Sequence, residues 1–238
     1  MKYYRIDTAE SVNGEVPPGI DGRNVKDKEK LFNRACGPDL FFEESPVFDY
    51  LVPLNFQEED AEKEATMVCD YNYWWGEAPM GGWLTPVSEK LRVLLSNFNL
   101  GEHRFYDAWV LFKKEKQRHW ILQFLSNTYE SYINFDKTIF NNRNTSGKLG
   151  GRELQTGRFG SIEEVKAHAR SNWGKGIYWN YERVVMKPEF RELDFIPFFK
   201  LGDLVSERLK AALEESGLTG FEFHELPLPV EFSDEVDH

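Results

Sequence analysis

The sequence predicts an α+β protein, a mixed and largely antiparallel sheet with a few flanking helices. Strand-like and helix-like segments follow one another without the regular βαβ rhythm that a parallel sheet requires. Two extended runs, about 104 to 113 and about 118 to 126, are joined only by the charged connector Lys113 to Gln117. So short a link cannot hold a crossover helix, so the pair is antiparallel. Finally, one phrase occurs twice. Val87-Ser88-Glu89-Lys90-Leu91-Arg92-Val93-Leu94-Leu95 recurs as Val205-Ser206-Glu207-Arg208-Leu209-Lys210-Ala211-Ala212-Leu213. Counting from Val87 or Val205, Leu or Ala falls at i+4, i+7 and i+8, one face of a helix. Ser88 and Ser206 stand where an N-cap belongs, each followed by an acidic residue that complements the helix dipole.

Tyr3 to Ile6 reads as a first strand and runs into the turn residues Asn13-Gly14 and Pro17-Pro18-Gly19. Prolines 46 and 53 forbid a long helix in the Phe-rich stretch that follows, which leaves short extended pieces. Residues 57 to 64 carry five acids and one base and read as a solvated turn or loop. The first Ser-Glu helix is expected over about 87 to 98. After the antiparallel pair, "TYESYINFDKTIF" reads as a further extended run ending near Phe140. Residues 141 to 160, with five Gly and almost nothing apolar, are the best candidate for a mobile loop or an inter-lobe linker. Ser161 then caps a helix, with Glu164 completing a capping box. Strand-like "RVVMK" and "LDFIPFF" precede the second Ser-Glu helix, which Gly217 stops before a final strand near 220 to 224. The whole is read as one globular domain over residues 1–238. The repeated phrase raises the idea of two similar lobes divided near 141–160, against the plainer account that it is simply a good way to start any amphipathic helix.

Lys and Arg number 29 and Asp and Glu 40, a net charge of −11. That balance argues against a nucleic-acid partner, whose binding is driven by cations neutralising phosphates. It would steer a basic protein toward this one, or serve solubility alone. Cys36 and Cys69 are far apart with no CxxC spacing, as expected of two reduced thiols in a cytoplasmic protein. No stretch approaches the ~20 apolar residues of a membrane span, and the first residues show no apolar export signal.

A catalytic reading finds little. The histidines at 103, 119, 168, 224 and 238 are scattered, with no HExxH and no His/Cys spacing for a metal. There is no GxSxG elbow. Ser146-Gly147-Lys148 lacks both the earlier glycine and the following Ser/Thr of a P-loop. His224 beside Glu222 and Glu225, and His119 beside Arg118 and Trp120, are the remaining weak combinations. An edge-strand histidine facing solvent is the ordinary account. The expectation is therefore no catalytic set, no metal and no cofactor. The competing expectation is a small-molecule-binding or hydrolytic enzyme that uses the Gly-rich 141–160 loop as a lid over a polar pocket.

A partner surface has a better candidate. Glu58, Glu59, Asp60, Glu62 and Glu64 form the densest acidic run of the chain, directly upstream of Tyr71, Tyr73, Trp74 and Trp75. An acidic rim beside an aromatic centre suits a surface that holds a basic protein. Consecutive Trp74-Trp75 equally suit a core position and its strand neighbour.

The phrase "VSERLKAALEESGLTGFEF", from Val205 to Phe223, resembles the C-terminal signature of immunity proteins from bacterial polymorphic-toxin systems. The segment from Val87 to Phe140, with its "INFDKTIF" run, resembles the central part of those families. The resemblance spans chiefly residues 87 to 140 and 190 to 226. It implies a cytoplasmic, non-catalytic protein that neutralises a cognate toxin in a tight one-to-one complex, and it transfers no catalytic residues.

Overall fold

The computed structural model describes residues 1–15, 17, 19–21, 48–54, 67–75, 82–125, 129–142, 155–171, 179–198 and 201–234, with the side chains of 21, 49–50, 54, 73–75 and 82–83 set aside. The chain forms two compact units: residues 3–128 with 193–225, and residues 129–192 with 226–238. The class is α+β, as the sequence predicts.

The first unit holds two sheets. The six-stranded one has the order β4-β2-β3-β6-β7-β5. Its strands are β2 (Gly19–Asp21), β3 (Phe48–Leu54), β4 (Tyr73–Trp75), β5 (Gly82–Ser88), β6 (His103–Phe112) and β7 (Glu115–Leu125). The four-stranded one has the order β11-β12-β1-β13, built from β1 (Tyr3–Thr8), β11 (Phe195–Phe198), β12 (Gly202–Ser206) and β13 (Phe221–Glu225). β2 runs parallel to β4 and β3 parallel to β6, and every other pair of this unit is antiparallel. The β6–β7 link is tighter than expected. Lys113 and Lys114 alone make the turn, both at positive φ (50° and 65°), the geometry of a two-residue type I′ hairpin.

Both Ser-Glu phrases begin helices, α1 (Glu89–Leu95) and, near the end of this unit, α3 (Glu207–Ser216). Ser88 Oγ accepts the Leu91 N–H and Ser206 Oγ the Leu209 N–H, each at 3.1 Å. Gly217 ends α3 in the left-handed region, φ 70°. Both helices lie in this one unit, so they do not head lobes separated near 141–160. The repeat lies deeper than the phrase. β5, β7 and β6 stand in the same relation to α1 as β12, β1 and β13 to α3: the strand into the helix, an antiparallel strand between the two, and the strand out of the helix. Val87, Leu91 and Leu95 share a buried core with Val205, Leu209 and Leu213. Two aspartates clasp the copies reciprocally. Ser88 donates its N–H to Asp70 O (2.8 Å) and its hydroxyl to Asp70 Oδ1 (2.6 Å), while Asp70 Oδ2 accepts the N–H of Thr219 beyond α3 (3.0 Å). Ser206 donates likewise to Asp194 O (2.8 Å) and Oδ1 (2.6 Å), while Asp194 Oδ2 accepts the N–H of Asn99 beyond α1 (3.0 Å). Each aspartate thus ties the start of its own helix to the chain leaving the other. Burial would raise the Asp194 carboxyl, but the hydrogen bonds from Arg208, Ser206 and the Asn99 N–H outweigh it and hold the group below its ordinary range.

The second unit carries the sheet β14-β10-β8-β9, with β8 (Ile139–Asn141), β9 (Thr156–Gly157), β10 (Asn180–Met186) and β14 (Val230–Phe232). Helix α2 (Ile162–Ser171) belongs to this unit too. The capping box at its start is shifted by one residue: Glu164 N–H donates to Ser161 Oγ (3.3 Å), but the Glu164 carboxylate accepts from Gly160 N–H (2.8 Å). Two expectations are corrected here. Residues 129–138 are not an extended run: a 3-10 turn at Glu130–Tyr132 leads into a turn built by Asn134, whose Oδ1 and O accept the N–H groups of Lys137 and Thr138. A further strand, β14, follows the expected last one and pairs parallel to β10. The expected loop at 141–160 falls within this unit, and residues 143–154 of it lie outside the described residues.

Candidate partner-binding surface

Of the residues proposed from sequence, Glu58, Glu59, Asp60, Glu62 and Glu64 lie outside the described residues. Tyr73, Trp74 and Trp75 form β4, the edge strand of the six-stranded sheet, with their side chains outside the described set. Tyr71 is 5% exposed and belongs to the core shared by the two helices, so it is not the exposed member of that cluster. Its hydroxyl donates to Asp203 Oδ2 (3.2 Å). Asp203 Oδ1 is sealed from solvent and has no hydrogen-bond partner among the described residues. Burial, opposed by the Tyr71 hydrogen bond and reinforced by Asp7, pushes the Asp203 carboxyl up to about 7.

The histidines singled out from sequence lie on two different strands, β7 and β13. His119 is buried on the face of β7 opposite Trp120, and its burial lowers its pKa against the pull of the Cys69 and Gln117 carbonyls. His224 sits half-exposed on the edge strand β13, 3.0 Å from Glu222. Cys69 is a buried free thiol. Among the described residues no group of three or more His, Cys, Asp and Glu side chains could hold a metal ion.

The surface that stands out lies on the β6–β7 hairpin. Strand alternation puts Tyr106, Ala108, Val110 and Ile121 on one face, buried against Ile20, Phe48 and Leu51. The opposite face carries Phe105, Asp107, Trp109 and Leu111 on β6, and Lys116, Arg118 and Trp120 on β7. Trp109 stands directly across from Arg118 and Asp107 from Trp120. Helix α1 reaches only the far end of this face, through Glu89 and Arg92. Trp120 Nε1 donates to Glu89, and the Arg92 guanidinium lies 4.1 Å from the Trp120 ring centre. Arg118 lies 4.7 Å from the Trp120 ring and 5.7 Å from that of Trp109, and Lys116 5.2 Å from Trp109. An ion pair of 2.6 Å to Asp107 fixes Arg118, which is 47% exposed. The result is a ladder of cations laid on two half-buried tryptophans.

Each cation–π contact at such a site is worth about 0.5–1 kcal/mol. The larger effect is order, because interlocked side chains lose little rotamer freedom when a partner covers them. Trp and Arg are also the residues that most often carry binding energy at protein interfaces. The ladder offers contact area and hydrogen-bond donors. Sequence reading missed it, although the signal was present as period-two spacing in both strands. Placing the connector at 113–117 instead of 113–114 hid the register that brings the two faces together. The second copy has a counterpart at matching positions, with Lys210 5.0 Å from the Tyr4 ring and 5.4 Å from that of Phe223.

Glu231 and Asp234, of the acidic C-terminal stretch, are engaged within the second unit. Glu231 pairs with Arg183, and Asp234 accepts both terminal nitrogens of Arg191 at 2.8 and 2.9 Å. Among the described residues no helix is long and apolar enough to cross a membrane. No protein-family model matches this chain, and no curated protein does either.

Proposed function

We propose that this protein is a non-catalytic binding protein that neutralises a cognate bacterial toxin in the cytoplasm by forming a tight complex with it. The observation that carries the reading is the Trp109–Arg118–Trp120–Arg92 ladder, a preordered and half-exposed surface made of the residue types that dominate interface energetics. The similarity of residues 87–140 and 190–226 to immunity proteins supplies the class of partner. The acidic balance of the chain supports a soluble protein that meets its partner by diffusion.

The test is co-expression with a toxin encoded beside the gene. Cells should survive with the intact protein, and the purified pair should elute as one complex. Trp109→Ala and Trp120→Ala should each weaken that complex by about 2 kcal/mol or more while leaving the fold intact. Turnover of a hydrolase or nucleotide substrate by the purified protein, or full protection by the double tryptophan variant, would overturn the proposal.

A further inference from the structure

We propose that the β6–β7 hairpin receives an acidic segment of its protein partner, with the tip lysines contacting its carboxylates and Trp109 contacting its apolar side chains. This rests on the binding role proposed above and names the chemistry of the partner's contact. The chain as a whole carries −11, yet residues 113–118, Lys-Lys-Glu-Lys-Gln-Arg, hold four cations and one anion. Lys113, Lys114, Lys116 and Arg118 are all exposed. This basic spot stands at the open end of the ladder, beyond the part that α1 reaches.

The turn itself gives a second argument. Lys113 and Lys114 both hold left-handed backbone, at φ 50° and 65°. Asn-Gly adopts that turn readily, whereas each ordinary side chain there costs about 1 kcal/mol. The sequence therefore keeps two charges at the tip against a conformational penalty. A phosphate backbone is the less suitable occupant. The remaining charge of the protein, net −11 overall, repels a polyanion. A short acidic protein segment meets the local positive field with far less of that repulsion.

The decisive variant replaces Lys113-Lys114 by Asn-Gly. The turn becomes easier to form, so thermal stability should stay level or rise, and loss of binding cannot be blamed on misfolding. Three probes are titrated while the Trp109 and Trp120 indole NMR signals are followed: a synthetic peptide alternating Glu with Leu, its Lys-Leu counterpart, and oligothymidylate. The Glu-Leu peptide should shift both indoles. Its affinity should fall roughly fivefold or more in the Asn-Gly variant, and also when salt rises from about 50 to about 300 mM. The Lys-Leu peptide should not bind. Equal binding of the Glu-Leu peptide to both proteins, no binding of it at all, or tighter binding of oligothymidylate at the indoles would overturn the inference. The cognate toxin is measured alongside. If it associates with both proteins at the same rate, the tip is not the contact although the binding role stands. If it binds neither protein, the binding role itself fails.

Discussion

Replacing Asp203 by Asn should stabilise the protein above neutral pH and flatten the dependence of its stability on pH. The Asp203 carboxyl is pushed from an ordinary 3.8 to about 7 in the folded state, where its Oδ1 is sealed from solvent without a hydrogen-bond partner among the described residues and Oδ2 accepts the Tyr71 hydroxyl at 3.2 Å. Between those two values the native protein keeps a proton that the unfolded chain has released, so stability falls as pH rises through the window. Below it both states are protonated and the group is silent. Above it the penalty is complete. Carrying the carboxyl from 3.8 to about 7, at about 1.4 kcal/mol per pH unit, sets an upper bound of ~4 kcal/mol. Asn has nearly the same shape, still accepts from Tyr71, and never ionises. Urea unfolding at about pH 5 and about pH 8 should therefore show Asp203→Asn gaining midpoint chiefly at the higher value, by about 1–4 kcal/mol. Parallel curves for the two proteins across that range would refute the assignment of a buried, neutral carboxyl.

Two further expectations test the repeated architecture. Ser88→Ala and Ser206→Ala should each cost about 0.5–2 kcal/mol, with the fully buried Ser206 nearer the upper end, because its loss leaves Asp194 Oδ1 short of a donor in the core. Unchanged urea midpoints in both variants would dismiss the clasped-helix account. Gly220→Ala should be severe, about 3 kcal/mol or more. The residue sits at φ +99°, and an added Cβ would fall 2.2 Å from Tyr71 O and 2.5 Å from Cys69 Cβ. Gly217→Ala, at φ +70° with open space around it, should cost only about 1 kcal/mol. Equal melting-temperature losses for the two would refute the close packing of Gly220 against Tyr71 and Cys69.

The sequence makes local punctuation legible and leaves its distant partners unread. Ser88, Ser206 and Gly217 announce the ends of α1 and α3 through chemistry contained within a few residues, and the structure places them accordingly. Asp70 and Asp194 complete the same caps, but nothing in their neighbourhoods marks them, because their partners lie many residues away. β14 was missed for a related reason: a short strand pairing parallel to β10 depends on its neighbour more than on its own pattern. The stretch from 129 to 138 was misread because its aromatic residues suggest strand, while Asn134 turns the chain by accepting the N–H groups of Lys137 and Thr138. The ladder was half legible. Its residues alternate plainly, but only the two-residue turn fixes which of them meet.

β1 lies at the centre of its sheet, with Tyr3 opposite Ser206 and Tyr4 opposite Glu225. On the ribosome that order is awkward. β1 must wait, unpaired on both edges, until residues 202–206 and 221–225 have been synthesised. Such distant pairing slows folding and lengthens the time during which open strand edges can meet other chains. A chain that stops short of residue 202 therefore loses more than its tail, since β1 is left with neither neighbour and α3 is never made. The four-stranded sheet can be completed only once the chain has been made through residue 225.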